Sequence, residues 1–576
     1  MSSATVETDG DDRARTASHG RRRRLTTFFL AVGLLLIGLS PYVSNLRFWP
    51  LTRDASVFVS ASTAPTGVWV KRFLFTRHFA GFRPVAALSY KLNYILGGLD
   101  PFGYRLTDLA LHALVAVLLY WACRVLAPRA SRYAALAALG IFVFHPACQD
   151  VVAIMSCRSY TLAAAFGLGA LIVFVKAYRA RQRAVLGYVL STVLLLLSIH
   201  ANEVGYLLVP LLPVLCWSGL GTRRAGPVPA LRACLIPFLA AGLALCLRLI
   251  YIGLGGYPPP DDRIERALSV VSAAWRGVWF PFPEHTVWGR LVLPATVICA
   301  VPVGLYYGWR AVVRPLSRWK SRGRRLPLVM VVWLLGYSLL YGVAGVWFPR
   351  EAYVMAIPLA MLFGVTLAET VQWYRGRRLA LGGHLFPQLV LAGWILMHSP
   401  VVRGQEPSLL AAQARRQPML TAMYADLQQV REPAFVALVL PCEGAIWSKG
   451  QAVGVTKVER GQLPSSVDRA TVLMRGLFHD RNIKLWDVVY FYDDPDTGLR
   501  GPRHQRIDGR DALLLPANSV VFVSPHPGWE KWEPCRAPII WLDALPMPRR
   551  RHCYLYIYAG SKGTLVPLSV ERSGPG

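Results

Sequence analysis

The sequence predicts a polytopic α-helical membrane protein, with about eleven spans and a C-terminal mixed α/β domain outside the cytoplasm. Composition is the first observation behind this fold class. Of the 576 residues, 54% are hydrophobic and only 16% are charged, whereas soluble globular domains carry about 25% charged residues. The second is that the apolar residues form long runs, as membrane-spanning helices require.

The third observation is where the positive charge lies. A net charge of +31 would indicate nucleic-acid binding in a soluble protein. Here the cations cluster in short stretches between the apolar runs, which is the pattern that orients membrane helices. We therefore expect the lipid bilayer, and no nucleic acid, as the partner of these charges.

The N-terminal residues 1–24 are polar and are predicted to be a disordered cytoplasmic segment. They end in four arginines, directly before the apolar run Leu25 to Val43. This order resembles a signal sequence, but the apolar run is long for one and no small-residue cleavage site stands out. We predict an uncleaved first span.

The transmembrane domain is predicted to extend over residues 25–398. About 20 apolar residues are needed to cross a ~30 Å hydrocarbon layer, and several runs reach that length. The predicted spans are 25–43, 104–126, 133–156, 159–176, 184–201, 203–219, 233–253, 291–309, 326–346, 352–371 and 379–398.

The orientation follows from five cation-rich stretches that contain no Asp or Glu. These are residues 124–132, 176–183, 223–232, 310–325 and 375–378. All five fall on the side of the N-terminal arginines if the spans alternate, so the positive-inside rule places them in the cytoplasm. The sequence therefore predicts a multi-pass protein of the bacterial inner membrane, with a cytoplasmic N-terminus and an extracytoplasmic tail.

Three segments are predicted on the outer side. Loop 44–103 contains an amphipathic stretch from Arg83 that is suited to the membrane interface, and loop 254–290 is rich in Pro and aromatic residues. The third segment, the tail 399–576, is predicted to be an α/β domain. Its strand-like runs are 435–440, 487–492, 519–524 and 553–558, and its helical stretches are 408–430 and 445–453.

Ionisable side chains in or beside the spans are the candidates for function, because they are costly in lipid. Most lie on the predicted outer side, either in loop 44–103 or at the outer ends of the helices: Asp54, Arg83, His145, Asp150, Arg158, His200, Glu203, Arg350 and Tyr353. Arginines bind phosphate oxygens bidentately, and a carboxylate can act as general base on a hydroxyl. This set suits a lipid-linked phosphate substrate.

Other interpretations of these residues stay open. Arg83 and Arg350 could equally be interfacial anchors, and Glu203 could cap a helix. A structural role is favoured for His145, which precedes a proline. Asp108 and His112 lie four residues apart and deeper in the second span, where they could pair between helices.

No metal site or cofactor is predicted. The ten cysteines include no CxxC pair, so no zinc or redox motif is visible. Asp494 and Asp496 form a DxD that could hold a divalent cation. However, Asp-Asp-Pro-Asp-Thr-Gly is a strong turn sequence, and the turn is the favoured interpretation.

Four blocks of sequence resemble, in the same order, the transmembrane O-mannosyltransferases with tetratricopeptide repeats and related bacterial proteins. The first is RPVAALSYKLNYILGGLDPFGYRLTDLALHAL from Arg83. The second is FHPACQDVVAIMSCRSYTLAAAF from Phe144, and the third is HANEVGYLLVPLL from His200. The last is PREAYVMAIPLAML from Pro349.

The resemblance implies the GT-C architecture, a multi-helix membrane glycosyltransferase that uses a polyprenyl-phosphate sugar donor outside the cytoplasm. It implies Asp54 as the catalytic base or acceptor-positioning group. Arg83, Arg158 and Arg350 are the expected phosphate ligands, and the supporting residues are Asp150, His200, Glu203 and Tyr353. The sequence departs from the family in having Arg53 before Asp54 and no tetratricopeptide array.

The leading hypothesis is therefore transfer of a sugar from a polyprenyl-phosphate donor to an extracytoplasmic glycan, lipid or protein. The first alternative is a non-catalytic protein for transport or assembly of lipid-linked glycans. A transporter is expected to carry its ionisable residues near the bilayer midplane, whereas these gather at one face. The second alternative is a glycan-binding tail anchored by the membrane part.

Overall fold

The computed structural model of the chain describes two compact units. The helical unit comprises Met1–Leu46, Thr66–Ser89 and Gly103–Pro407, and the sheet unit comprises Arg47–Pro65, Tyr90–Phe102 and Ser408–Gly576. The described residues are 8–50, 65–69, 83–126, 131–180, 184–217, 227–252, 263–279, 326–344, 349–376, 410–430, 434–441, 474, 477–478, 483–491, 503–508, 510–514, 520–523, 533–535, 539–541, 552–559 and 562–568.

Apart from a short helical turn at Thr66–Trp69, the helices before residue 377 are numbered in chain order. They are α1 (Thr8–Val43), α2 (Pro84–Gly97), α3 (Pro101–Leu126), α4 (Ser131–Val143), α5 (Ala147–Ala153), α6 (Arg158–Arg179), α7 (Ala184–Ala201), α8 (Leu208–Trp217), α9 (Pro227–Ile252), α10 (Arg263–Trp279), α11 (Leu326–Ala344) and α12 (Ala352–Gly376). Three 3-10 turns lie between them, at Met155–Cys157, Glu203–Leu207 and Pro349–Glu351.

Membrane-spanning character is clear in this set. Among the described residues, five helices are long and apolar enough to cross a membrane: Leu25–Val43, Pro101–Leu126, Met155–Arg179, Ala184–Ala201 and Leu231–Ile250. Four shorter apolar helices are Arg132–Val143, Glu203–Cys216, Val329–Ala344 and Ala352–Ala368. Each of these overlaps a predicted span, whereas predicted spans 291–309 and 379–398 lie outside the described residues.

The prediction of one continuous helix from 133 to 156 is wrong. Helix α4 ends at Val143, and the chain resumes as the short helix α5 and then a 3-10 turn. The physical reason is Pro146, which has no N–H to donate and disfavours helical backbone at His145. The predicted span 203–219 likewise starts with a 3-10 turn, at Glu203–Leu207, before α8.

Helix α2 is the amphipathic segment that the sequence predicts for the membrane interface. It begins at Pro84, a residue favoured in the first helical position, and buries Ala86, Ala87 and Tyr90. The helix ends before Gly98, which has a φ of +60° and donates its N–H to the carbonyl of Tyr94. Such a left-handed residue is a common helix stop.

Helices α4 and α12 approach closely at Gly364. A Cβ there would collide with the carbonyl oxygen of Ala134 and lie 3.1 Å from the Cβ of Ala138. Small residues allow such close helix contacts in membranes. The absence of a side chain at Gly364 therefore sets the distance between these two helices.

We expect Gly364→Ala to lower the free energy of unfolding by about 1–3 kcal/mol, because the two backbones must separate. The measurement is thermal unfolding of purified protein in detergent. Gly242→Ala in α9 is the control, since a Cβ at Gly242 meets nothing within 4 Å. Equal unfolding midpoints for the two variants would contradict the assigned contact.

Besides the parts of α2 and α3 that lie within residues 90–102, the described residues of the sheet unit form one further helix and nine strands. They are α13 (Leu410–Gln428), β1 (Ala434–Pro441), β2 (Ile483–Phe491), β3 (Arg503–Ile507), β4 (Arg510–Leu514), β5 (Val520–Val523), β6 (Glu533–Cys535), β7 (Ile539–Trp541), β8 (His552–Ala559) and β9 (Lys562–Leu568). The predicted strand runs correspond to β1, β2, β5 and β8. The predicted helix at 445–453 lies outside the described residues.

The strands form two sheets. A six-stranded mixed sheet has the order β6-β5-β2-β1-β8-β9, and β1 pairs in parallel with both β2 and β8. A three-stranded antiparallel sheet has the order β3-β4-β7. Helix α13 contacts β9 and buries Leu420, Met423 and Leu427, whose spacing of three and four residues places them on one helix face.

Candidate functional site

The central feature of the helical unit is one carboxylate held by two arginines. Arg83 Nη2 lies 3.0 Å from Glu203 Oε2, and Arg248 Nη2 lies 3.0 Å from Glu203 Oε1. Arg83 Nε also donates to Oε2 at 3.1 Å. The side chains of Arg83, Arg248 and Glu203 are 33%, 15% and 24% exposed. The group is therefore held in place and still reachable from solvent.

The backbone around Glu203 is shaped by its neighbours. Asn202 caps the 3-10 turn, because its Oδ1 accepts the N–H of Val204 at 3.2 Å. Its Nδ2 donates to Ser159 Oγ at 3.1 Å, which ties the turn to α6. Arg83 Nη1 also reaches Ser159 Oγ, at 3.4 Å. This polar network fixes the direction of the Glu203 carboxylate.

The turn also depends on Gly205. A Cβ at this position would lie 2.7 Å from the backbone nitrogen of Ile199 and 2.8 Å from the carbonyl carbon of Ser198. Contacts this short to backbone atoms cannot be relieved by a side-chain rotation. Glycine is therefore required for the turn to fold back against α7.

Tyr160 joins a third arginine to this group. The Arg83 guanidinium carbon lies 5.8 Å from the centre of the Tyr160 ring, a cation–π distance. Tyr160 also interacts electrostatically with Arg350. Burial opposes the charge of Arg350, but Cys157, Tyr160 and the buried Glu351 raise the pKa of its guanidinium above the usual value.

We name Arg83, Arg248, Arg350, Glu203 and Tyr160 the arginine cluster. Its three guanidinium groups outnumber its one carboxylate, and with the neighbouring Glu351 the balance is still positive. Arginines that are positioned in advance and partly desolvated bind phosphate oxygens strongly. The arrangement can therefore hold an anionic phosphate and stabilise charge that develops on it.

Arg158, a predicted phosphate ligand, is instead fully enclosed. Its Nε lies 2.5 Å from Asp108 Oδ1, and the two side chains are 0% and 2% exposed. Its Nη2 donates to the carbonyl of Tyr104 at 2.8 Å, and its Nη1 reaches Ser89 Oγ at 3.4 Å. These contacts favour a structural role that joins α6 to α3.

His112 and Tyr353 form a second buried pair between α3 and α12. His112 Nδ1 lies 3.0 Å from the Tyr353 hydroxyl, and both side chains are fully buried. Aromatic contacts with Phe142 and Tyr42 surround the imidazole. Tyr353, predicted to support the site, contacts this aromatic group.

The two other histidines among the sequence candidates, His145 and His200, bond to backbone atoms. His145 Nδ1 accepts the N–H of Ala147 at 3.1 Å, and its Nε2 lies 3.0 Å from the carbonyl of Val278. The favoured structural role of His145 therefore agrees with its contacts. His200 Nδ1 lies 2.8 Å from the carbonyl of Leu196 in its own helix.

Two predicted site residues cannot be placed by their side chains. Asp54 lies outside the described residues, and Asp150 is described only as a backbone position in α5. Within the described part of the chain, no group of three or more His, Cys, Asp or Glu could hold a metal ion. The Asp494 and Asp496 turn also lies outside that part.

The sequence prediction missed Arg248 and Tyr160. Arg248 is a cation inside an apolar run of α9, a position that is costly in lipid unless the charge has a partner or a function. That signal was available in the sequence. Tyr160 carried no comparable signal, because a tyrosine in a membrane helix is ordinary.

Comparison with known proteins finds no matching family model. Protein O-mannosyl-transferase Tmtc1 of Drosophila melanogaster is 39% identical over 89 residues, which are 14% of this chain and 10% of that protein. Human protein O-mannosyl-transferase TMTC4 is 31% identical over 155 residues, which are 24% of this chain and 20% of that protein. The chain thus spans a small part of these relatives.

Two solved structures show a distant likeness. ArnT from Cupriavidus metallidurans bound to undecaprenyl phosphate has a TM-score of 0.40 and 13% identity, covering 85% of this chain and 97% of that one. Archaeal oligosaccharyltransferase AglB from Archaeoglobus fulgidus has a TM-score of 0.39 and 12% identity, covering 88% and 76%. Scores this low do not assign a fold. By its sequence, the chain resembles the transmembrane O-mannosyltransferases over part of its length.

Proposed function

We propose that the protein is a membrane glycosyltransferase that transfers a sugar from a polyprenyl-phosphate donor to an extracytoplasmic acceptor. The observation that carries this proposal is the arginine cluster, in which Glu203 holds Arg83 and Arg248 beside Arg350. In this proposal the cluster faces the extracytoplasmic side, as the positive-inside pattern predicts. The sequence similarity to O-mannosyl-transferases supports the reaction class.

The cluster acts on the leaving group. When the bond between the sugar C1 and the phosphate oxygen breaks, its electron pair passes to that oxygen, so negative charge on the phosphate increases. Arg83 and Arg350 bind the phosphate oxygens and become more strongly bound as this charge develops. Interactions that strengthen in the transition state lower the barrier.

Glu203 and Arg248 position the cluster. A carboxylate between two arginines keeps Arg83 in one orientation, so less side-chain freedom is lost when the phosphate binds. Arg248 shares Glu203 with Arg83, which leaves the group with excess positive charge. Arg158 and Asp108 are assigned to the framework rather than to the phosphate.

Asp54 supplies the base in this proposal. The acceptor hydroxyl attacks the sugar C1 and gives its proton to the Asp54 carboxylate, while the polyprenyl phosphate departs. The proton from the acceptor hydroxyl then resides on Asp54, and the departing phosphate carries one more negative charge, so the total charge is unchanged.

The test is sugar release from radiolabelled polyprenyl-phosphate sugars by purified protein in detergent. The mannose donor comes first, because the similar proteins are O-mannosyl-transferases. Release by wild-type protein alone, and none by Asp54→Asn that folds equally well, is the expected result. Sugar release by Asp54→Asn at the wild-type rate would contradict the role of Asp54 as the catalytic base.

A negative result would favour the alternative function. If folded wild-type protein releases sugar from no donor, yet binds a polyprenyl-phosphate sugar, a role in transport or assembly of lipid-linked glycans replaces the enzyme. If it neither turns over nor binds any donor, the phosphate site itself is wrong.

A further inference from the structure

A pocket within the sheet unit has no role in the steps above. Its cavity of about 650 Å³ is lined by Arg47, Trp49, Asp100, Phe102, Thr421 and Tyr424, among others. This volume lies within the range of roughly 300–1,000 Å³ that is typical of ligand sites. The lining residues come from four separate parts of the chain, so the fold builds the pocket.

Aromatic rings dominate one part of the lining. The rings of Trp49 and Tyr424 lie 5.3 Å apart with an interplanar angle of 44°, and the Tyr424 ring lies 5.5 Å from Phe478. Trp49 is held by its backbone, because Gln417 Oε1 accepts its N–H at 2.6 Å and Gln417 Nε2 donates to its carbonyl at 3.2 Å. The indole is therefore presented from a fixed position.

Polar groups of opposite charge complete the pocket. Arg47 and Asp100 are both exposed, and one oxygen of Asp100 accepts the N–H of Phe102 at 3.0 Å. Across the described residues, the Arg47 guanidinium makes no hydrogen bond or ion pair. The two charges cancel, so the pocket attracts a polar ligand without selecting strongly for either sign of charge.

We infer that this pocket binds a carbohydrate, which is the saccharide part of the acceptor; the second half of this inference rests on the proposed function. A pyranose ring has an apolar C–H face that packs on aromatic rings, and hydroxyls that bond to charged side chains. A phosphate ligand would require excess positive charge. A peptide added as a strand would need a sheet edge, and the described lining contains none.

The pocket is connected to the proposed catalytic base by a short stretch of chain. Asp54 follows Trp49 by only five residues, so their Cα atoms are at most about 18 Å apart whatever the conformation between them. A saccharide held against Trp49 thus stays within a few sugar lengths of the proposed base. An acceptor subsite is expected at such a distance from the reacting hydroxyl.

The experiment is ligand-detected NMR on full-length protein in detergent, with neutral manno- and gluco-oligosaccharides as probes. We expect saturation transfer to the C–H protons of the sugar rings with wild-type protein. Thr421→Trp fills the pocket from an exposed helix position, and Trp49→Ala removes a stacking ring. Each is expected to weaken binding by roughly tenfold or more.

Leu96→Trp is the control, because Leu96 is 84% exposed in the sheet unit and does not line the pocket. It is expected to bind oligosaccharides as wild-type protein does. Unchanged binding by Thr421→Trp, or no binding by folded wild-type protein, would overturn the inference.

Sugar release from the donor, measured on the same wild-type sample, tests the proposed function separately. Turnover without saccharide binding contradicts only the inference about the pocket. Saccharide binding without turnover would support the carbohydrate site, but it would contradict both the glycosyltransferase function and the role of the pocket in binding the acceptor.

Discussion

Arg83→Ala is expected to reduce kcat/KM for the polyprenyl-phosphate donor by roughly 10²–10³-fold, the effect of removing one charge-stabilising donor from a prearranged site. The side chain is one-third exposed, contacts Glu203 through two nitrogens and stacks on Tyr160. Its removal deletes a phosphate ligand, yet leaves Glu203 paired with Arg248. The measurement is donor turnover at several donor concentrations, so that kcat and KM are separated.

Arg83→Lys and Arg266→Ala are the matched variants. Lysine keeps the charge at residue 83 but not the planar fork that binds two oxygens, so an intermediate loss is expected. Arg266 lies exposed in α10 and outside the arginine cluster, and its removal should change turnover little. If Arg83→Ala and Arg266→Ala reduce kcat/KM for the donor equally, the loss is a general effect of surface charge and Arg83 is not a phosphate ligand.

Much of the helical architecture could be predicted from the sequence, because a membrane helix is identified by length and hydropathy alone. Helices α1, α3, α6, α7 and α9 overlap their predicted spans. The break within span 133–156 was harder to predict, since Pro146 lies in a run that is otherwise apolar enough to continue. The side-chain contacts of His145 with Ala147 and Val278 stabilise that break.

The candidate site was predicted in part. Arg83, Glu203 and Arg350 are polar residues beside apolar runs, and the cost of placing them in lipid indicates a function or a partner. Which arginine pairs with which carboxylate depends on tertiary contacts. Arg158 and Arg83 looked alike in the sequence, but the structure buries the first against Asp108 and leaves the second partly exposed.

The second large effect concerns that buried pair. We expect Arg158→Ala and Asp108→Ala each to lower the free energy of unfolding by about 3–5 kcal/mol, because each leaves an opposite charge in the interior without its main partner. The measurement is the unfolding midpoint of protein in detergent. The variant with the lower unfolding midpoint should also give the lower yield of correctly folded protein.

The double variant Asp108→Leu/Arg158→Met separates a framework role from a phosphate role. Replacing both charges by apolar side chains of similar size removes the uncompensated charge, so we expect the double variant to be more stable than either single variant. If Arg158 only joins α6 to α3, donor turnover should recover along with folding. A folded double variant that has lost donor binding would instead make Arg158 a phosphate ligand, as the sequence first predicted, and the arginine cluster would then extend into the interior.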